Sequence, residues 1–179
     1  MTTAQTTGYE LPLPEAAALA EQRGWRQRVL TYVTRAPHEL LVFEHPPMYP
    51  DAGIQVPAGG VDPGETPAEA AVREAWEETG LRLSGPVHLA SFHWTRRQET
   101  GGETSQVWHY FWLAAPPATP DDWPHVVTAG ETDAGMTFHC RFVLQADHGL
   151  IPGFGYEAAL PHLLTLADPE PTPQEPCHD

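Results

Sequence analysis

The sequence predicts an α/β fold, a mixed β-sheet with helices on both faces, and three observations carry that prediction. Runs rich in β-branched and aromatic residues, such as 25–35 and 106–114, recur along the chain and read as strands. One helix with clear start and stop signals interrupts them at residues 67–79. A late apolar stretch, residues 156–166, supplies a second packing helix. Strands, a central helix, more strands and a terminal helix suit a sheet covered on both sides.

The chain has 179 residues, enough for one domain with a sizeable core, and its hydrophobic fraction of 41% is that of a globular protein. No apolar run approaches the roughly 18 residues of a membrane span. The first residues, MTTAQTTGYELPLP, have neither a basic start nor a long apolar stretch, so no secretory signal is expected. Two cysteines, Cys140 and Cys177, are too few for a disulfide framework, which points to a reducing, cytoplasmic setting. The net charge of −15 argues against a nucleic-acid polymer or an anionic membrane as partner. It leaves room for a small phosphate substrate, because an acidic pocket loaded with divalent cations attracts phosphates. Composition divides the chain into an N-terminal segment with a short helix (1–24), a main domain (25–166) and a Pro-rich tail expected to be disordered (167–179).

In chain order, residues 14–23 predict a helix, with Pro14 in its first turn and Gly24 as its stop. Residues 25–35 and 40–43 predict two strands joined by a turn at Pro37-His38-Glu39. A loop broken by Pro46, Pro47 and Pro50 leads to a short strand at 54–56 and a glycine-rich loop. After the central helix come strands at 87–94 and 106–114, separated by the polar loop TRRQETGGETS. Residues 125–128 and 136–144 complete the strands. Pro161 is expected to bend or split the final helix.

The central stretch, AGGVDPGETPAEAAVREAWEETGL, carries the chemistry. Thr66 can cap the helix, Pro67 suits its first position and Glu69 completes a capping box. Gly80 supplies the left-handed stop. At about 100° per residue, Glu78 lies about 40° from Glu74 and Glu77 about −60°, so three carboxylates share one arc. The expected packing face is Ala68, Ala71, Val72, Ala75, Trp76 and Thr79 on the opposite side, with the acidic arc open. Acids at a helix C-terminus are disfavoured by about 0.3–1 kcal/mol each, and Glu74 and Glu78 repel at i and i+4. A cluster that breaks local rules marks a functional site. Hard oxygen ligands on one face suit Mg²⁺ or Mn²⁺. The loop before the helix permits close backbone approach, so the carbonyl of Ala58 can join them. Glu65 can pair with Arg73 and hold the loop on the helix.

Gly59, Glu65, Arg73-Glu74, Glu77-Glu78, Gly80 and Leu81 stand at the spacing of the Nudix box, and on these positions the chain resembles the Nudix hydrolase family. Only Ala75, where the family prefers a bulkier aliphatic, departs from it. The resemblance implies a Nudix-type α/β/α sandwich with the catalytic loop and helix at its centre. It implies hydrolysis of a nucleoside diphosphate linked to another group X: a triphosphate, a nucleotide sugar or a dinucleoside polyphosphate. Glu74, Glu77, Glu78 and the Ala58 carbonyl would hold the cations, Glu77 and Glu78 would be catalytic, and Gly59, Glu65, Arg73 and Gly80 would support the turn. The general base would be a box glutamate or one from a later loop. Glu131 is the first choice, with Asp133, Glu99 and Glu103 as competitors. A homodimer, common in the family, is compatible with the Pro-rich loops and N-terminal segment.

For substrate contacts the candidates are Arg28, His45, Gln55, Arg96 and Arg97, with Tyr49, Trp94, Trp108, Tyr110 and Trp123 available to stack a base. The proline of ADP-ribose hydrolases is missing after the box, where the chain reads Thr95-Arg96-Arg97, and the marks of diadenosine polyphosphate and coenzyme A hydrolases are absent too. The histidines and cysteines show no zinc-binding spacing, and no Walker loop or nucleophile elbow is present. The alternative to an enzyme is a catalytically silent nucleotide-binding or regulatory module on the same scaffold.

Overall fold

The run Val29-Leu30-Thr31-Tyr32-Val33 is buried at every position, which requires cover on both faces, and it forms the middle of the central strand. The computed structural model describes residues 6–36, 38–97, 101–130 and 133–167. Its strands are β1 (Thr6–Leu11), β2 (Arg26–Ala36), β3 (Glu39–Glu44), β4 (Ile54–Gln55), β5 (Ala58–Gly60), β6 (Val87–Arg97), β7 (Glu103–Ala114), β8 (Asp122–Val126) and β9 (Thr137–Leu144). Its helices are α1 (Leu13–Arg23), α2 (Pro67–Thr79) and α3 (Leu160–Ala167).

The strands form one mixed sheet in the order β1–β6–β7–β2–β3–β9–β8, with β4 on β3 and β5 on β2. The parallel pair is β2 with β7, from Arg26↔Gln106 to Thr34↔Ala114. Its neighbours run antiparallel. Strands β2 and β3 pair only at Thr34↔Leu40 and Ala36↔Glu39 and then diverge. The halves they leave open are taken by β5, with Arg28↔Gly60 to Leu30↔Ala58, and by β4, with Phe43↔Gln55 and Glu44↔Ile54. The sheet is therefore split beside β5, and the split is where the site forms.

Alternation along β2 sorts the two cores. Leu30 and Tyr32 pack with Leu40, Val42, Tyr110, Ala159 and Leu163 on the α3 face. Val29 meets Ala70, Ala71 and Phe111 below α2, and Val33 meets Ala75, Leu41 and Phe138 on the same face. Helix α1 buries Ala16 and Ala20 against Val107, also on the α2 face. The expected α/β architecture with helices on both faces is present.

Several local expectations change. The N-terminal segment adds a strand the sequence does not announce: β1 pairs with β6 from Thr6↔Arg96 to Leu11↔Ser91. The glycine loop is a three-residue strand. The polar stretch after Trp94 continues the β6–β7 ladder through Thr95↔Ser105, Arg96↔Thr104 and Arg97↔Glu103, because a hairpin extends while its backbone partners remain in register. The final helix begins at Leu160, so Pro161 lies in its first turn, where a missing N–H costs nothing, and neither bends nor splits it. The expected disordered tail after residue 167 lies outside the described residues. No helix among the described residues is long and apolar enough to cross a membrane.

Candidate active site

Helix α2 forms as its caps direct. Thr66 Oγ1 accepts the Glu69 N–H, and Glu69 Oε2 accepts the Thr66 N–H at 2.8 Å. Gly80, at φ 77°, ends the helix with its N–H on Trp76 O. The expected packing face is largely kept, with Ala71, Ala75 and Thr79 buried and Ala68 and Val72 packed on the cores, but Trp76 leaves it and the acidic arc is not open. The buried residues of α2 are Ala70, Ala71, Glu74, Ala75, Glu77, Glu78 and Thr79, so all three carboxylates are buried. Trp76, expected in the core, is 36% exposed and carries the Arg82 guanidinium 5.0 Å from its ring. The reason lies in β5: its Ala-Gly-Gly has almost no side chains, so the carboxylates can sink against its backbone. Glu74, Glu77 and Glu78 retain only 7–8% of their accessible surface.

The ladder orients that backbone. Thr31 N–H donates to Pro57 O and Val61 N–H to Gln27 O, which leaves the N–H and C=O of Ala58 and Gly60 on the free edge of β5. There Ala58 N–H donates to Glu78 Oε2 at 2.9 Å, and Arg73 Nη2 donates to Gly60 O at 2.7 Å. The Ala58 carbonyl shares that edge. A side chain on Gly59 would overlap the Glu74 carboxylate.

Arg73 pairs with Glu65 as expected and is the centre of the cluster. Its Nε and Nη2 reach the two oxygens of Glu65, each at 2.8 Å, and its Nη1 reaches Glu74 Oε1 at 2.8 Å and Glu77 Oε2 at 3.3 Å. Glu65 also accepts the Asp62 N–H, which closes the turn. The fork geometry of arginine lets one cation serve three carboxylates and a carbonyl.

The far end of the helix is also held. Trp123 Nε1 donates to Thr79 O at 2.8 Å, His125 Nε2 to Glu77 O at 2.9 Å, and Thr128 N–H to the same Glu77 O at 3.3 Å. Cys140 Sγ lies 3.8 Å from Glu78 O. Carbonyls that a helix end leaves unpaired thus find donors on β8, β9 and the loop after β8.

The acidic side of α2 and the free edge of β5 line one cavity of about 540 Å³. The carboxylates of Glu74, Glu77 and Glu78 form one wall with Ala58, Gly59, Gly60, Asp62 and Arg73, while Arg26 and Arg28 come from β2 and Ala129, Gly130 and Asp133 from the loop before β9. Burial raises the carboxyl pKa of Glu78 well above the ordinary range, against the pull of the Ala58 N–H, with Glu74 and Asp133 adding to the rise. Burial raises Glu74 as well, while Arg73 pulls it down. Glu65 is held below the ordinary range by Arg73. A smaller apolar cavity of about 320 Å³, bordered by Trp112, Leu163 and Leu166, contains no carboxylate.

The other candidates are dispersed. Gln55 donates to Ala52 O and accepts from the Tyr156 hydroxyl, so its amide ties two loops. His45 packs against Phe138 and Phe43, and burial lowers its pKa. Arg96 and Arg97 lie exposed near the β6–β7 turn, with Arg97 3.7 Å from Glu103. Tyr110 is fully buried with its hydroxyl on Gly155 O, and Trp123 serves the helix end. Glu131 and Glu99 lie outside the described residues. Among the cavity residues that were not sequence candidates, Asp62 and Arg26 are the charged ones, and a signal existed for Arg26. Its period-two spacing from Arg28 on one strand was the available signal.

Comparison with known proteins agrees with this architecture. The NUDIX domain family matches residues 24–139. RNA pyrophosphohydrolase of Cereibacter sphaeroides is 67% identical over 27 residues, 15% of this chain and 17% of that protein. The protein of the same name from Brucella anthropi is 61% identical over 37 residues, 21% of each chain. The matched stretches thus span only about a fifth of these relatives. Among solved structures, a variant of the Bacillus subtilis pyrophosphohydrolase BsRppH superposes with a TM-score of 0.54 at 17% identity, covering 90% of this chain and 89% of that one. An ADP compounds hydrolase does so with a TM-score of 0.50 at 18% identity, over 79% and 70%. At such identities the likeness is one of fold. The domain match covers more than half of the chain, and the protein belongs to the NUDIX hydrolase family.

Proposed function

We propose that the protein hydrolyses a diphosphate linkage in a nucleoside diphosphate–X compound with a divalent cation, Mg²⁺ or Mn²⁺. The observation that carries this reading is the burial of Glu74, Glu77 and Glu78 against the side-chain-free edge of β5, inside one cavity. Among the described residues no three acidic, histidine or cysteine groups converge as a ready-made metal cage. The donor set nevertheless suits a hard cation. Arg73 or Ala58 engages one oxygen of each glutamate, the second oxygen has no hydrogen bond among the described residues, and the Ala58 carbonyl shares the free edge. A cation held by these groups would neutralise the diphosphate and lower the pKa of the attacking water.

The protein's own groups then have separate tasks. Arg73 fixes Glu65, Gly60 and two glutamates in one frame, so the liganding oxygens are positioned before substrate arrives. Glu78 and Glu77 border the reacting phosphoryl groups. Water adds to one phosphorus, and the bond from that phosphorus to the bridging oxygen breaks with its electron pair on that oxygen. The products are a nucleotide and phosphorylated X. The water proton passes to a carboxylate, for which Glu131, outside the described residues, remains the first choice from sequence, while Asp133 stands at the cavity wall. The names of the matched relatives add RNA to the candidates for X, which net charge alone had argued against, and that of a structural neighbour adds ADP compounds.

Replacing Glu77 and Glu78 singly by Gln should lower hydrolysis of the best nucleotide about 100-fold or more in either variant. Unchanged turnover in both variants would remove the assignment. A silent binding module would instead show tight nucleotide binding with Mg²⁺ and no product from any member of a nucleotide panel.

A further inference from the structure

All nine basic residues of the chain are arginines, and their engagement differs. Arg35, Arg73, Arg97 and Arg141 form ion pairs. Arg26 and Arg28 line the carboxylate cavity and form none among the described residues. Arg28 lies with its guanidinium 5.1 Å from the Trp108 ring, and its Nε is buried without a hydrogen-bond partner. Stacking on an indole fixes a guanidinium while leaving its N–H edge free to bind an anion. Arg26 is exposed and stands beside Gly60, its Nη2 3.4 Å from where a Cβ on that glycine would lie.

The free edge of β5 separates these cations from the glutamates. Gly59 and Val29 are register partners on the α2 face, where Glu74 abuts Gly59. Arg28 and Gly60 are register partners, and the alternation of β2 places Arg26 and Arg28 with Leu30 and Tyr32, toward the α3 face. A substrate in the cavity therefore meets carboxylates on one side of the edge and, on the other, two guanidiniums that form no ion pair among the described residues, although the Arg28 charge is felt by Glu78 and by the Tyr156 hydroxyl. A diphosphate whose oxygens are taken by the glutamate-bound cations leaves that second wall unmatched. A sugar would offer it only neutral hydroxyls.

We infer that Arg26 and Arg28 bind the oxygens of a phosphate outside the hydrolysed diphosphate unit, so that the preferred substrate is a 5′-triphosphate, not a nucleotide sugar. This rests on the hydrolase reading above, and the shared chemistry has two sources: a free nucleoside triphosphate or the 5′ end of an RNA. Trp108 acts as a positioning residue by holding Arg28.

The test has a binding arm and a turnover arm. In titration calorimetry with Mg²⁺, the wild-type chain should bind inorganic tripolyphosphate about tenfold more tightly than pyrophosphate, and Arg26→Gln/Arg28→Gln should remove most of that preference. Arg28→Lys should restore part of it, which a structural role would not do. Equal wild-type affinities, or a preference that survives in the double variant, would overturn the inference. In turnover, the ratio of kcat/KM for triphosphates to that for an ADP-sugar should fall about tenfold or more in the double variant, both for a free nucleoside triphosphate and for a 5′-triphosphate oligonucleotide. The better wild-type substrate of the two identifies the source. A loss confined to the oligonucleotide would overturn the inference, because the wall would then be reading the RNA backbone. If no nucleotide is turned over, the hydrolase reading fails, and the calorimetric ratio still decides the role of the arginines. Arg26 is exposed, so the single variant Arg26→Gln keeps the fold and reports if the double variant does not.

Discussion

Gly59 and Glu74 occupy each other's space: a Cβ on the glycine would overlap the carboxylate. The backbone of Gly59 is not in the left-handed region, so this glycine serves close approach and not turn geometry. Gly59→Ala should therefore displace Glu74, destabilising the chain by about 1–3 kcal/mol and lowering metal-dependent turnover. Urea unfolding and initial rates at saturating Mg²⁺ check both. Unchanged values in the two measurements would mean that Glu74 has room the structure does not show.

Arg73 holds Glu65, Glu74, Glu77 and Gly60 O, so its removal leaves several buried acceptors unserved. Arg73→Ala should cost about 2–4 kcal/mol, less than for a fully buried pair because the side chain keeps a quarter of its exposure. Arg73→Lys should recover only a minor part, since an ammonium cannot reproduce the two-pronged contact with Glu65. Denaturant midpoints of the three proteins provide the comparison.

The raised carboxyl pKa of Glu78 makes stability depend on pH in a definite direction. Its folded-state pKa lies above the unfolded value, so the folded chain binds the proton more tightly. That contribution is present below the ordinary carboxylate range and is lost as pH rises through the raised folded value. Glu65 works in the opposite sense, because Arg73 depresses its pKa and its contribution is lost as pH falls. The stability of the metal-free wild type relative to Glu78→Gln should consequently decline from acid toward neutral pH. Melting curves in chelator across that range read the difference. A flat difference would place Glu78 in a more hydrated setting than the one described.

At the other end of α2, Trp123 Nε1 caps the Thr79 carbonyl. Trp123→Phe keeps most of the ring and removes the donor, and should cost about 1 kcal/mol. Gly80→Ala should cost about as much or more, because Gly80 has φ 77° and a Cβ there would meet His125 Nδ1 at 2.8 Å. Hydrogen exchange should speed up in the last turn of α2 in both variants and stay unchanged in α1.

Local chemistry was written plainly in the sequence. The capping pair Thr66 and Glu69, the stop at Gly80 and the spacing of Glu74, Glu77 and Glu78 each depend on residues a few positions apart, and each stands where it was read. The extension of β6 and β7 and the added β1 were not legible, because a strand in a polar stretch is defined by the backbone groups that meet it across the sheet.

By itself, then, the sequence determined the family, the α/β alternation and the identity of the acidic cluster, since short-range periodicity and capping encode them. Only the tertiary structure decided that the acidic arc of α2 is buried and that Trp76 is not. A helical projection supplies relative angles and no absolute one, and the near-absence of side chains on β5 lets Glu74, Glu77 and Glu78 sink inward while Trp76 turns out. Tertiary contact also brought Arg26 and Arg28 to the same cavity, from a strand more than thirty residues before the helix, because the split between β2 and β3 opens the sheet beside Ala58 and Gly60.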